Sequence, residues 1–412
     1  MFSRILALLM LVSAAFAQQP LGLDEAVRRA LDHHPDLAVA GERVAEQEGL
    51  RLQARKTYNP TLNLQWENFR AWQQPGFRAG EDSDIYGFLQ QQWELFGKRR
   101  RRVEQASAQV RVAELEREQA RNQVSLRVKQ AYWQALAAQH RLKLFEENLL
   151  NFQKIIEYHE ARVREGAMAE ADLIRVRLEG ERLALDRNEA SLAAIRSRMK
   201  LQLAMGEEQF PPVTLTEPIP EKLPEPPFPL HAAEAVSRRI EVRIRQAAVE
   251  ESAAGTALAR ANARPDLTWL AGYKRSGPYN TVVLGAQVPL TIRDRNEGNI
   301  AAASAEERYA ASLLRASQQA VLAEAQAAIE SYQIYRRQLE HTLPALREQA
   351  LETATIAEAA YREGGADLLR FLDAQRVRIE AQQLYMDARV NYELAIVDLE
   401  QALGIPQGVV QP

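Results

Sequence analysis

The chain of 412 residues contains no cysteine. That excludes disulfides, thiolate metal sites and a cysteine nucleophile, and no acylated N-terminal cysteine, hence no lipid anchor of that kind, is expected. Aromatics are sparse at 7%. Alanine, arginine, glutamate, glutamine and leucine dominate instead, a balance that favours long helices over a thick globular core. Neither sign of charge prevails. The 52 basic and 55 acidic residues are interspersed and leave a formal charge of −3, which gives no reason to expect nucleic acid as a partner. Beyond the first residues no stretch supplies the ~18 apolar residues of a transmembrane helix, so any insertion into a bilayer must use strands.

Chemistry-bearing constellations are also missing. His33-His34 precede Pro35, but adjacent histidines on a helix point in different directions and no third ligand lies nearby. His140, His159, His231 and His341 are scattered. No metal site, cofactor or catalytic arrangement of Ser/His/Asp or paired carboxylates is expected, and the chain is not read as an enzyme. "GKRRRR" (97–102) lacks the upstream glycines of a phosphate loop. Following a strand, it is expected to solvate the base of a sheet or to meet anionic headgroups.

What is present is order. Arg4, the apolar "ILALLMLV" and Ala15-Phe16-Ala17 read as a secretory signal peptide over residues 1–17. Prolines crowd residues 210–230, which must be extended. On either side the sequence repeats: residues 18–209 form a first structural repeat and 231–412 a second. "LDEAVRRAL" (23–31) answers "AAEAVSRRI" (232–240), and "LAMG" (203–206) answers "QALG" (401–404). "RVREGAMAEADLIRVRLEGE" (162–181) answers "YREGGADLLRFLDAQRVRIE" (361–380), with Gly166 and Gly364 lying 198 positions apart.

Each half predicts two strands and a helical hairpin. The strands fall at about 60–70 and 84–95, then at about 265–274 and 281–290. The period of two is clear in Leu62, Leu64 and Trp66, in Leu267, Trp269, Ala271 and Tyr273, and in Val282, Leu284 and Ala286. It is mixed over 85–95. About ten residues suffice for a tilted strand to cross a bilayer, and Trp66, Trp72, Trp93, Trp269 and Tyr273 suit an interfacial belt. The hairpins are expected over 98–206, with its tip near 166, and 298–404, with its tip near 364. No Gly or Pro occurs from Lys98 to Glu165, a run that could extend roughly 100 Å. Val103, Val110, Arg117, Val124, Ala131, Ala138, Phe145 and Phe152 hold one position of a seven-residue repeat, with one polar exception, which implies left-handed supercoiling. The last helix carries a stripe from Val377 to Ala402 and a partial second one at Leu372, Ile379 and Met386, so it is expected to touch neighbours on two sides.

Four strands leave two open edges that lipid cannot satisfy, so identical copies must close the barrel. Hydrogen bonding alone does not choose among eight, twelve or sixteen strands.

The opening "LDEAVRRALDHHPDL", the strand-to-helix junctions, the Pro-rich middle and "YREGGADLLRFLDAQ" together resemble the TolC-like outer membrane efflux proteins over essentially the whole mature chain. The junction "QQWELFGKRRRR" is most similar to the heavy-metal (CzcC/CusC-type) branch. The resemblance implies a mainly α fold with a small β part, in which long coiled hairpins form a periplasmic α-barrel. Four strands per chain would join a trimeric twelve-stranded β-barrel in the outer membrane. It implies as partners a homotrimer of the chain, a periplasmic adaptor, an inner-membrane pump of the resistance-nodulation-division (RND) type and outer-membrane lipid. The implied function is a passive export duct in a tripartite efflux system for heavy-metal cations or drugs. A duct for type I protein or peptide secretion and a secreted structural coiled coil are the alternatives.

By the same resemblance Gly166 and Gly364 mark hairpin tips that turn on glycine's positive φ and dock the adaptor. Asp172, Tyr361 and Asp373 match gate positions of the family. Ala169, Asp367 and Arg370 depart from its pattern, which puts a capping hydroxyl in doubt, and Arg370 would change the charge of an acidic ring. The expectation is that Arg370 and Asp373, repeated around an axis, line a periplasmic entrance. The alternative is an ordinary i, i+3 pair between them on a solvated face.

Overall fold

The computed structural model describes residues 19–218, 223 and 225–405. The signal-peptide reading over 1–17 lies outside them, as do parts of the Pro-rich stretch. The described residues are mainly helical. In chain order they form β1 (Gln19–Leu21), α1 (Leu23–His33), α2 (Pro35–Ala54), β2 (Thr61–Glu67), β3 (Asp84–Trp93), α3 (Lys98–Arg164), α4 (Glu170–Ala204) and β4 (Val213–Leu215). There follow α5 (Ala232–Arg238), α6 (Ile240–Asn262), β5 (Leu267–Ser276), β6 (Tyr279–Gln287), α7 (Glu297–Arg337), a π-helical turn (Gln338–Thr342), α8 (Leu343–Arg362) and α9 (Leu368–Ala402). Two compact units divide the chain: one takes residues up to Val39, 118–239 and 320 onward, the other 40–117 and 240–319.

In the second unit β2, β3, β5 and β6 form one antiparallel sheet in that order. Its register solves the mixed pattern of 85–95. Leu62 pairs with Leu89, Leu64 with Gly87 and Trp66 with Ile85. Leu89 then pairs with Ala271 and Gly87 with Tyr273, and these with Leu284 and Val282. Since side chains alternate between faces, the apolar rows of all four strands share one face. Asn63, Gln65, Gln90, Gln92, Thr268, Lys274 and Thr281 stand on the other.

The strands differ in extent from expectation. β2 stops at Glu67, because Asn68 turns to φ +58°. β5 and β6 run into the expected connection 275–280, leaving only Gly277 and Pro278 between them. β6 ends at Gln287, opposite Thr268, so Val288 to Leu290 lie outside the ladder. Pro289 could donate no ladder bond.

Part of the "GKRRRR" run has a structural role in the same unit. Arg99 Nε donates to Arg55 O at 2.7 Å and Arg102 Nε to Ala54 O at 3.1 Å, so both cap the carbonyl end of α2. Arg102 also pairs with Glu94, and Lys98 Nζ lies 2.8 Å from Asp266 in a nearly buried pair. Lys98, Arg99 and Arg102 hold the strand-to-helix junction together, while the exposed Arg100 and the half-buried Arg101 lie beside Glu104.

In the first unit the lower coiled part is built from the distal stretch of α3 with α4, α8 and α9. Val124, Val128, Tyr132 and Leu136 of α3 pack with Ala26 and Val27 of α1, Leu201 of α4 and Val390 and Val397 of α9. Over this core β1 pairs with β4 in parallel. The Tyr132 hydroxyl donates to Leu21 O at 2.8 Å and accepts from Glu217 N–H at 3.2 Å, fastening both short strands. The heptad of α3 is buried where expected at Val124, Phe145 and Phe152, whereas Arg117 is exposed. On α9 the first stripe is buried from Ala388 onward, but Val377 and Leu384 are exposed at 39% and 53%.

One interruption was not anticipated. The expected single run from 298 is broken at 338–342, where the Leu343 N–H bonds Gln338 O, five residues back. Pro344 follows, and with no N–H it cannot serve the Glu340 carbonyl in an α-type ladder. α3 has no such break over 67 residues.

Candidate functional site

The two tips are built alike. α3 ends with Ala167 N–H on Arg162 O at 2.9 Å and Gly166 N–H on Val163 O at 3.0 Å. α8 ends with Gly365 N–H on Ala360 O at 2.7 Å and Gly364 N–H on Tyr361 O at 3.1 Å. Gly166 and Gly364 have φ of +72° and +80°, the left-handed helix stop that glycine adopts without strain. The next helices differ in their caps. Asp367 accepts the Arg370 N–H on Oδ1 at 2.8 Å, replacing the missing hydroxyl of the family pattern. Ala169 caps nothing, and only Glu170 and Asp172 in the first turn of α4 compensate its dipole.

Between the tips lies an aromatic stack. Tyr361 is parallel to His159 on one side, with centroids 5.6 Å apart, and to Phe371 on the other, at 5.1 Å. The Tyr361 hydroxyl is 2.8 Å from His159 Nε2, and His159 Nδ1 is 2.7 Å from Ile155 O. A carbonyl can only accept, so Nδ1 carries the proton and Nε2 accepts from tyrosine. Burial, with the nearby Asp172 charge second, raises the Tyr361 pKa. Tyr361 is therefore half-buried within its own protomer.

The acidic positions are placed otherwise. Asp373 is exposed and pairs with Arg376 at 2.6 Å, not with Arg370. The alternative reading, an i, i+3 pair of Arg370 and Asp373, does not form. Arg370 is exposed, and its side chain makes no ion pair among the described residues. Asp172 sits 3.9 Å from Arg175. Among the described residues no cluster of three His, Cys, Asp or Glu could hold a metal ion, and no helix is long and apolar enough to cross a membrane.

The sheet supplies the second candidate surface. On its apolar face Leu62, Leu64, Val282 and Leu284 are 64%, 76%, 77% and 78% exposed. An exposed apolar sheet face edged by unpaired strands is what a lipid-facing band requires.

Sequence comparison fits this architecture. The sequence model of the family described as Outer membrane efflux protein matches residues 26–207 and again 232–405. The chain belongs to the outer membrane efflux protein family. It is similar to the cobalt-zinc-cadmium resistance protein CzcC of Cupriavidus metallidurans, at 26% identity over 94% of this chain and 91% of that protein. It is also similar to the pyoverdine export outer membrane protein OpmQ of Pseudomonas putida, at 26% identity over 67% of this chain and 61% of that one. Its fold is that of the solved CusC channel, with a TM-score of 0.79 at 19% identity over 93% of this chain and 92% of that one. The chain is an outer-membrane efflux channel that extends into the periplasm.

One feature escaped sequence reading. On α4, Leu178, Leu185, Leu192 and Met199 recur every seven residues and are 65%, 65%, 53% and 48% exposed. The spacing was visible, but only the structure leaves that seam exposed among the described residues.

Proposed function

We propose that three copies of the chain close a twelve-stranded barrel, three times the four strands of each sheet, continuous with a tube of coiled hairpins. The apolar sheet face with open edges at β2 and β6 carries this reading: in lipid those edges need partners from further copies. The Leu178–Met199 seam of α4 supplies a second surface for a neighbouring copy. A secreted coiled coil would leave the exposed apolar sheet face without a purpose. Internal duplication accounts for the shared order helix, helix, strand, strand and hairpin in each half.

In this reading the duct is passive, and a periplasmic adaptor and an RND pump at the inner membrane supply selection and energy. Heavy-metal cations are the proposed cargo, supported by the likeness to CzcC along nearly the whole chain. Gly166 and Gly364 form the docking tips, and Asp172, Tyr361, Arg370 and Asp373 belong to the periplasmic gate.

Four measurements test the proposal. The protein should require detergent for extraction and run as an SDS-sensitive oligomer. Arg at Leu64 or Leu284 should cost about 2–4 kcal/mol if either lies near the bilayer midplane. A water-soluble monomer would sink the assembly. In a strain lacking its metal-efflux channel, expression should restore growth in cobalt, zinc or cadmium. Rescue confined to organic toxicants would overturn the cargo. Single-channel recordings of Asp373→Ala and Arg370→Ala should show altered opening, and two wild-type traces would remove both from the gate.

A further inference from the structure

A cleft of about 590 Å³, with His159 and Tyr361 among its lining residues, opens between α3 and α8 beside α9 in the first unit. This volume lies in the range of small-molecule sites. Its walls are apolar at Phe152, Phe371 and Ile379. Its charges do not balance. Arg378 is half-buried and held by two neutral oxygens, Gln375 Oε1 at 3.1 Å and Asn148 Oδ1 at 2.9 Å. No carboxylate bonds it among the described residues. The acidic group lining the cleft, Glu358, pairs with Arg362 at 2.6 Å. Lys154 on the exposed rim has no ion pair there either.

A guanidinium stripped of part of its hydration and given only amide oxygens is short of counter-charge. Burial accordingly lowers the Arg378 pKa. The amides fix the plane of the fork and leave Nη1 free, which suits a planar bidentate anion better than a lone point charge. The neighbouring groove between α4 and α9 serves as a contrast. There Arg376 pairs with Asp373 and Glu380, Arg182 with Glu179, and Arg141 with Asp387.

We propose that the cleft between α3 and α8 binds an amphiphilic carboxylate, its head on Arg378 and Lys154 and its apolar body against Phe152, Phe371 and Ile379. Because both hairpins contribute walls, an occupant would tie α3 to α8 close to the His159–Tyr361 contact.

The test is a fluorescence titration of the full assembled protein in nanodiscs with 11-(dansylamino)undecanoic acid and, separately, its methyl ester. The acid should bind saturably, about once per chain, and the ester at least ten-fold more weakly. Arg378→Gln should lose at least ten-fold in affinity for the acid, and Lys154→Gln about three-fold. Equal affinity for acid and ester, or an unchanged Arg378→Gln, would overturn the site. Should Arg378→Gln fail to assemble, Thr355→Trp decides, since it fills the cleft from its exposed rim. Wild-type affinity in that variant rejects the proposal, and loss of binding supports it.

Discussion

The Tyr361 hydroxyl donates to Nε2 of His159 across 2.8 Å, joining α8 to α3 at the point where both helices approach their turns. The bond is local, yet its partners are 202 residues apart in sequence. Tyr361→Phe keeps the stack on Phe371 and removes only the hydrogen bond, so it should cost about 1 kcal/mol. Phe371→Ala, which empties a buried position, should cost about 3–5 kcal/mol. Hydrogen exchange at the amides of 158–165 and 359–366 would separate the two. Unchanged protection in both variants would show that the stack does not hold the tips.

Glycine should not be equally replaceable at the four matching helix ends. A Cβ on Gly166 meets nothing within 4 Å, so Gly166→Ala carries only the left-handed backbone penalty, about 1–2 kcal/mol. A Cβ on Gly206 would stand 2.9 Å from Pro35 Cδ and 3.1 Å from the His34 Cα. Gly206→Ala should therefore cost a further 1–3 kcal/mol or so for overpacking. Denaturant midpoints of the two variants give the comparison, and equal losses would refute it.

The capping asymmetry predicts opposite responses. Asp367→Ala removes the only side-chain acceptor at the start of α9 and should destabilise by about 1 kcal/mol. Ala169→Asp installs the equivalent acceptor on α4 and should stabilise by a similar amount. Paired melting curves would show it; a neutral Ala169→Asp would mean that backbone geometry there refuses a cap.

Glu393 makes stability depend on pH. Burial, only partly offset by Arg389, pushes its carboxyl up to about 7 from an ordinary value of 4.5. Between those values the folded chain holds a proton that the unfolded chain has released. Folding stability must therefore fall as pH rises through that window, with a contribution on the order of 2–3 kcal/mol. Glu393→Gln should abolish the decline and gain most over the parent above pH 7. Parallel pH slopes for parent and variant would disprove it.

Much of this fold was legible in the residues. Hairpin positions followed from the absence of Gly and Pro over 98–165, and the tips from two glycines that reach φ +72° and +80°. Strand faces followed from alternation, except over 85–95, where Gly87 and Gln91 break the apolar row and only cross-strand register restores it. The basic run 97–102 did not reveal its structural part, because charge on paper does not show a neighbouring helix end in need of donors. Spacing alone did not settle whether Arg370 and Asp373 pair. Three residues separate them, but Arg376 is three residues from Asp373 too, and it takes the pair. The His159–Tyr361 contact had no sequence signal at all, since neither residue announces a partner two hundred positions away.

The π turn at 338–342 makes the two hairpins mechanically unlike. One leading helix runs unbroken over 67 residues, while the other contains a joint where the backbone bond spans five residues. Bending strain reaching the second hairpin should gather at that joint and leave the first hairpin straight, so the sequence has already chosen which arm of the protein is compliant.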